Sequence, residues 1–267
     1  NIAALNSYRN LTGNNNAVSK NLEKLSSGYR INRAGDDAAG LAISEKMRAQ
    51  ITGLNTAQKN AQDGVSLVQT AEGAMTETHS MLQRMKTLTT QAANGTYTEA
   101  ARKNIQSEID ALNSEITRIA STTEFNGEKP LSNGGKNLTF FIGASSDKTN
   151  AMTVGQQNMT ADSLKVKTIS VKTTTQAFQA MKAVDDAITS VSIYRAQLGA
   201  AQNRLEHTVN NLKVTSENIT SAESRIRDTD MADEITAYTK NNILLQAAQS
   251  MLSQSNAMPQ GVLSMLQ

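Results

Sequence analysis

The sequence predicts a mainly α-helical protein: a long antiparallel helical, coiled-coil bundle with paired terminal helices and a small β-hairpin-rich insert. Three observations carry that prediction. Apolar residues recur at alternating steps of three and four over long stretches. Two prolines in 267 residues leave those stretches free to stay helical. One segment, 127–175, breaks the rhythm with turn signals and β-branched runs.

Composition narrows the function classes. Aromatics make up 3% of the chain and Trp is absent, so a thick globule resting on aromatic area is not expected. A net charge of +2 is too weak to argue for nucleic acid or an anionic membrane. The absence of cysteine excludes disulfides, thiol catalysis and thiolate metal sites. No stretch approaches the ~18 apolar residues of a membrane span. Asn1-Ile2-Ala3-Ala4-Leu5-Asn6 lacks the basic-then-apolar pattern of a cleaved leader.

The first element is an amphipathic helix marked by Leu5, Tyr8, Leu11, Val18, Leu22, Leu25 and Tyr29. It runs into "SSGYRINRAGDDAAG", residues 26–40. That stretch lacks the G-x-x-x-x-G-K-[ST] phosphate loop and a leading strand. Its acid pair has no third or fourth metal ligand nearby. It reads as a joint, with Asp36 or Asp37 capping the helix that begins at Ala38 and Ala39.

A helix over 41–94 follows. Its seam reads Met47, Ile51, Leu54, Gln58, Ala61, Val65, Val68, Glu72, Met75, His79 and Leu82. Gly53, Gly64 and Gly73 interrupt it, each costing about 1 kcal/mol against Ala. They are either sites of close approach or tolerated defects. Asn94-Gly95 should end the helix, with Gly95 in the left-handed conformation. Thr96-Tyr97-Thr98-Glu99 reads as a capping box opening a helix over 98–121, which carries Ile105, Ile109, Leu112, Ile116 and Ile119.

Glu124-Phe125-Asn126-Gly127 ends that helix. Pro130 and Asn133-Gly134-Gly135 then signal turns. Segments 137–143, 151–155 and 164–171 look like strands. The last bundle helix, 177–227, carries the clearest seam: Met181, Val184, Ile188, Val191, Arg195, Leu198, Gln202, Leu205, Val209, Leu212, Ser216, Ile219, Glu223 and Ile226. That is roughly 70 Å of helix at ~1.5 Å per residue.

A second break, with Asp230 as a cap, opens the final helix, 235–267. Ile235, Tyr238, Leu245 and Leu252 share one face of it; Ile243, Ala247 and Met251 share another. One partner helix cannot cover both, so the ends should self-associate or bind a chaperone. The candidate self-association residues are Leu5, Leu11, Leu22, Leu25, Ile243, Leu245, Met251, Leu252, Val262 and Leu263. The two breaks lie at similar distances from the two ends, so the chain should fold back on itself through a paired joint.

Five motifs resemble bacterial flagellin: "LEKLSSGYRINRAGDDAAGLAISEKM" (22–47), "LQRMKTLTTQAANGT" (82–96), "EFNGEKPL" (124–131), "RLEHTVNNLKVTSENITSAESRIRDTDMADE" (204–234) and "AAQSMLSQSNAMPQGVLSMLQ" (247–267). The resemblance spans nearly the whole chain and is to the short form without large variable outer domains. It implies a subunit of the flagellar filament, secreted unfolded through the flagellar type III channel for motility. Residues 1–35 with 230–267 resemble the inner-tube helix pair. Segments 26–40 and 227–234 resemble the spoke, with Arg30, Asn32, Arg33, Asp36, Asp37, Arg227, Asp228 and Asp230. Residues 41–226, with the insert at 127–175, resemble the outer tube.

The implied partners are further copies of the chain, an export chaperone at the C-terminal helices, flagellar cap and junction proteins, and a host Toll-like receptor (Toll-like receptor 5). Gln83, Arg84, Leu88, Gln91 and Glu108 match the family's receptor-contacting residues; the chain departs from the pattern at Lys86-Thr87, where arginine-glutamate is common. No catalytic residue, cofactor or metal is assigned. The two histidines, His79 on a seam and His207 beside Glu206, have no metal-ligand spacing, and no G-x-S-x-G elbow occurs. The other readings are a hook–filament junction protein, a type III needle-tip-like secreted rod, and a cytosolic coiled-coil adaptor.

Overall fold

A computed structural model describes residues 2–265 except 133 and 146, with side chains as far as residue 257. Of the sequence expectations, the turn signal at Asn133 and the self-association candidates Val262 and Leu263 fall outside the described residues. The elements are α1 (Ile2–Ser27), α2 (Ala38–Ala93), α3 (Glu99–Thr122), β1 (Asn137–Phe141), β2 (Ala151–Gly155), α4 (Thr174–Arg227) and α5 (Met231–Met265). The fold is mainly α with one two-stranded antiparallel sheet, as the periodicity predicts. Two compact units emerge: Asn1–Ile51 with Glu217–Gln267, and Thr52–Ser216.

The unit 52–216 has one continuous core drawn from α2, α3, α4, β2 and residues 159–171. Lys86–Asp185, Glu72–Arg195 and Asn55–Ser216 contacts set α2 and α4 antiparallel. One column of each seam is as read: Leu54, Ala61, Val68, Met75 and Leu82 on α2, and Val184, Val191, Leu198, Leu205 and Leu212 on α4 are buried. Over most of its length the second column is one residue earlier than the sequence reading, with Val65 and Ile188 packed partly buried beside it, whereas Ser216 is buried as read. On α2 it is Ala57, Gly64, Ala71 and Thr78, not Gln58, Val65, Glu72 and His79. On α4 it is Ala180, Ala187, Tyr194 and Ala201, not Met181, Ile188, Arg195 and Gln202. Apart from Tyr194, the column consists of small residues, which let the helices approach closely. The larger residues beside them move to the flank, where Arg195 pairs with Glu72 at 3.5 Å. On α3, Ile105, Ile109 and Ile116 are buried, joined by Asn113 and Ala120.

The helix glycines divide by environment. A Cβ on Gly64 would sit 3.2 Å from Leu205 and 3.3 Å from Phe140, and one on Gly53 would meet Ala144 at 3.1 Å. These two mark close approach of the hairpin region, while Gly73 faces open space.

Three local expectations need correction. Gly95 is not left-handed; left-handed glycines occur at 28, 127 and 135. The end of α2 is held instead by Arg102, whose Nε donates to Ala92 O at 2.9 Å and whose terminal amine donates to Asn94 O at 3.2 Å. The cap of α3 is Thr98, accepting from Ala101 N at 3.3 Å, rather than a box begun at Thr96. Segment 164–171 is not a strand. Its backbone winds through turns, with Lys165 at φ 58°. Two α3 side chains satisfy its polar groups: Asn113 Nδ2 donates to Val166 O, and Gln106 accepts from Val171 N and donates to Ile169 O. That frees Leu164, Val166 and Val171 to enter the core without a sheet partner.

Candidate assembly surface and paired joint

Within the unit formed by the two ends, α1 and α5 pack against each other. They run antiparallel: Lys24 pairs with Glu234 at 3.6 Å, and Asn241 Nδ2 donates to Asn21 Oδ1 at 3.4 Å. A lone antiparallel pair can bury only one stripe of each helix. On α5 that stripe includes Tyr238, Leu245, Leu252 and the buried Ser255; on α1 it includes Leu11, Leu25 and the buried Asn21. The second face is left in solvent: Leu5 is 59% exposed, Leu22 55%, Ile243 60% and Met251 64%. Ile235, grouped by spacing with Tyr238, Leu245 and Leu252, is exposed like Ile243 and Met251. The predicted two-faced character of α5 is therefore present, with Ile235 reassigned.

The joint is built by a short antiparallel bridge between Tyr29 and Asp228. Gly28, at φ 75°, ends α1 and turns the chain into it. Arg30 N donates to Arg227 O at 2.6 Å, and Thr229 N to Gly28 O at 3.0 Å. The Arg30 guanidinium also reaches Ile226 O, at 2.5 Å. Arg227 fastens this crossing to the start of α2. It lies 4.8 Å over the Tyr29 ring and donates to Glu45 at 2.7 Å and Ser44 at 3.3 Å.

The acids divide their work. Asp37 Oδ1 accepts from Gly40 N at 2.8 Å, capping α2. Asp36 Oδ2 accepts from Asn32 N at 3.2 Å and Arg33 N at 3.0 Å, closing the loop. Those amides hold the Asp36 carboxyl below the usual carboxylate range, led by the bond from Arg33. Asp230 Oδ1 caps α5 through Ala232 N and Asp233 N. Arg33 pairs with Glu23 at 2.9 Å, and Ile31 is buried beneath the loop. A Cβ on Gly40 would strike the side chains of Ile31 and Asp37, so any larger residue there would displace the Asp37 cap and the buried Ile31. Asp228 contributes backbone pairing alone among the described contacts.

The candidate receptor residues are brought together only in part. Arg84 on α2 pairs with Glu108 on α3 at 2.8 Å, and both are about half exposed. Gln83 and Gln91 are exposed. Leu88 is 2% exposed and belongs to the core, because its position on α2 points at α3 and α4. His79 is half-buried and contacts Gln83 through Nε2 at 3.0 Å, while His207 is exposed. Among the described residues no cluster of three His, Cys, Asp or Glu could hold a metal ion, and no helix is long and apolar enough to cross a membrane.

A chain with a bare apolar face on a terminal helix pair and a hydrogen-bonded joint below it has the layout of a polymerising subunit. Comparison with known proteins agrees. The profile for the bacterial flagellin N-terminal helical region matches residues 1–136, and that for the C-terminal helical region matches 181–266.

The chain belongs to the bacterial flagellin family.

Flagellin of Bacillus subtilis is 52% identical over 300 residues, covering 100% of this chain and 98% of that relative. The flagellar filament 33 kDa core protein of Treponema phagedenis is 46% identical over 282 residues, with 100% and 98% covered. Among solved structures, Bacillus cereus flagellin is 32% identical, covers 62% of this chain and 94% of its own, and superposes with a TM-score of 0.52. Flagellin therefore displaces the adaptor and needle-tip readings.

Proposed function

We infer that this flagellin is a structural subunit that polymerises into the extracellular bacterial flagellar filament and so serves motility. The observation that carries the reading is the exposed apolar face of α1 and α5. Leu5, Leu22, Ile243 and Met251 lie on helices whose other stripe is already used. Burying what remains exposed of each such side chain yields about 1–2 kcal/mol, which stacking of copies supplies. The finer assignments rest on the family resemblance. The terminal pair lines the inner tube, segments 26–40 and 227–234 form the spoke, and 41–226 builds the outer tube.

Before assembly, the same bare face on α5 suits an export chaperone. Cap and junction proteins would meet it at filament ends. Arg84, Glu108, Gln83 and Gln91 form the solvent-facing patch offered to a Toll-like receptor, with Leu88 supporting it from beneath. The role is structural, with no catalytic step assigned. Addition of sonicated filament seeds to concentrated protein, followed by negative-stain electron microscopy, is expected to give long, uniform helical filaments. Amorphous aggregate, or particles that stay monomeric at every concentration, would overturn the reading.

A further inference from the structure

The unit 52–216 holds a second unpartnered feature that the terminal helices do not explain. Three of the four phenylalanines, Phe125, Phe140 and Phe141, line an open groove of about 590 Å³ beside β1. Leu67 and Leu138 complete its apolar wall. Asp63 and Glu128 stand in its lining, and neither forms an ion pair among the described residues. The groove is thus aromatic and acidic. Its complement is an apolar knob with a cation beside it.

The fourth phenylalanine has that form. Phe178 is 61% exposed near the start of α4, in a chain with few aromatics. Lys182 follows four residues later on the same helix face, exposed and without an ion pair among the described residues. Knob and groove cannot meet within one molecule. Arg102 links Ala92 and Thr174, so Phe178 lies level with the last turns of α2, whereas the groove lies level with Asp63. About 29 residues of α2, from Ala92 back to Asp63, separate the two levels, or a little over ~40 Å.

We propose that Phe178 and Lys182 of one copy of this chain dock into the Phe125–Phe140–Phe141 groove of the next, with Lys182 facing Asp63 and Glu128. A knob and a groove on different surfaces make a heterologous contact. Such contacts repeat without closing and build filaments. The proposal rests on the filament reading and assigns a specific head-to-tail contact within it, offset by roughly 40 Å.

The absence of cysteine makes the test clean. The variant Thr175→Cys, Thr139→Cys carries one thiol beside the knob, a turn before Phe178 on the same face, and one in the groove. A disulfide needs Cα atoms within about 7 Å, so these thiols cannot join within one chain. Mild oxidation of seeded filaments is expected to give a ladder of covalent multimers in denaturing gels, with no ladder from either single variant beyond dimers. Filaments that form and give no ladder would overturn this contact while leaving the filament reading in place. Should the double variant not assemble, charge reversal decides. Lys182→Glu and Glu128→Lys are each expected to slow seeded elongation about tenfold, and their combination to restore most of it. Wild-type elongation rates in both single variants would overturn the proposal, and failure of the wild-type chain to elongate would overturn the filament reading itself.

Discussion

Ile243→Asp is expected to leave the subunit folded and to abolish assembly. Ile243 is 60% exposed in the single chain, so the substitution places a carboxylate in water there. In α5 its local cost is a helix-propensity difference of a few tenths of a kcal/mol. In a polymer that covers this face, the same carboxylate is buried without a partner, at a cost of about 3–5 kcal/mol. Each 1.4 kcal/mol is a factor of ten in an equilibrium constant, so the critical concentration should rise at least about a hundredfold. Sedimentation of seeded protein measures it, with circular dichroism as the check on folding. Leu245→Asp is a poorer probe, because Leu245 faces α1 and its loss also weakens the helix pair. Polymerisation of Ile243→Asp at the wild-type concentration would remove α5 from the inner contact.

Arg227→Ala is expected to open the joint. The side chain of Arg227 is 12% exposed and has three simultaneous roles: a ring contact with Tyr29, a hydrogen-bonded ion pair with Glu45 and a bond to Ser44. A cation–π contact is worth about 0.5–2 kcal/mol, and a hydrogen bond to a charged group about 1.5–3. Together their loss should cost the terminal unit about 2–4 kcal/mol. The reporters are two amides of the crossing, Arg30 N and Thr229 N, whose acceptors are Arg227 O and Gly28 O. Both should exchange at least about thirtyfold faster in the variant by native-state hydrogen exchange, while amides near Val191 stay unchanged. Arg227→Lys keeps the charge but not the planar fork and should fall between. Unaltered exchange at Arg30 and Thr229 would show that the backbone bridge stands without the guanidinium.

The sequence was readable where a single helix determines the answer. The order of the helices, the antiparallel course across Asn94-Gly95, the pairing of 137–141 with 151–155 and the capping role of the acids all follow from local spacing and turn chemistry, while the starts of α4 and α5 fall three to four residues earlier than expected. It misled where a partner decides which side of a helix is inside. Extending the three-four rhythm places Glu72 and Arg195 in the seam, but Ala71 and Tyr194 hold those levels, and the two charged side chains pair with each other on the flank. Leu88 enters the receptor set through the family resemblance, and its burial beneath that patch is a matter of helix packing that a motif does not carry. At 164–171 a β-rich composition lost to two α3 side chains, Gln106 and Asn113, that capture its backbone from more than 50 residues away. The joint is the extreme case. Its location was legible from paired breaks, yet no local signal joins Arg227 to Glu45 and Tyr29, roughly 180 to 200 residues upstream in the chain.

The central claim is that the second apolar face of α1 and α5 is bare in one molecule and covered between molecules. Hydrogen exchange measured residue by residue, on soluble subunit and on seeded polymer of the same preparation, tests it most directly. Amides in 5–25 and 235–255 are expected to slow by at least about a hundredfold on assembly, while those in the 52–216 core, such as Val68 and Leu198, change far less. Equal exchange of the two terminal helices in both states would contradict it.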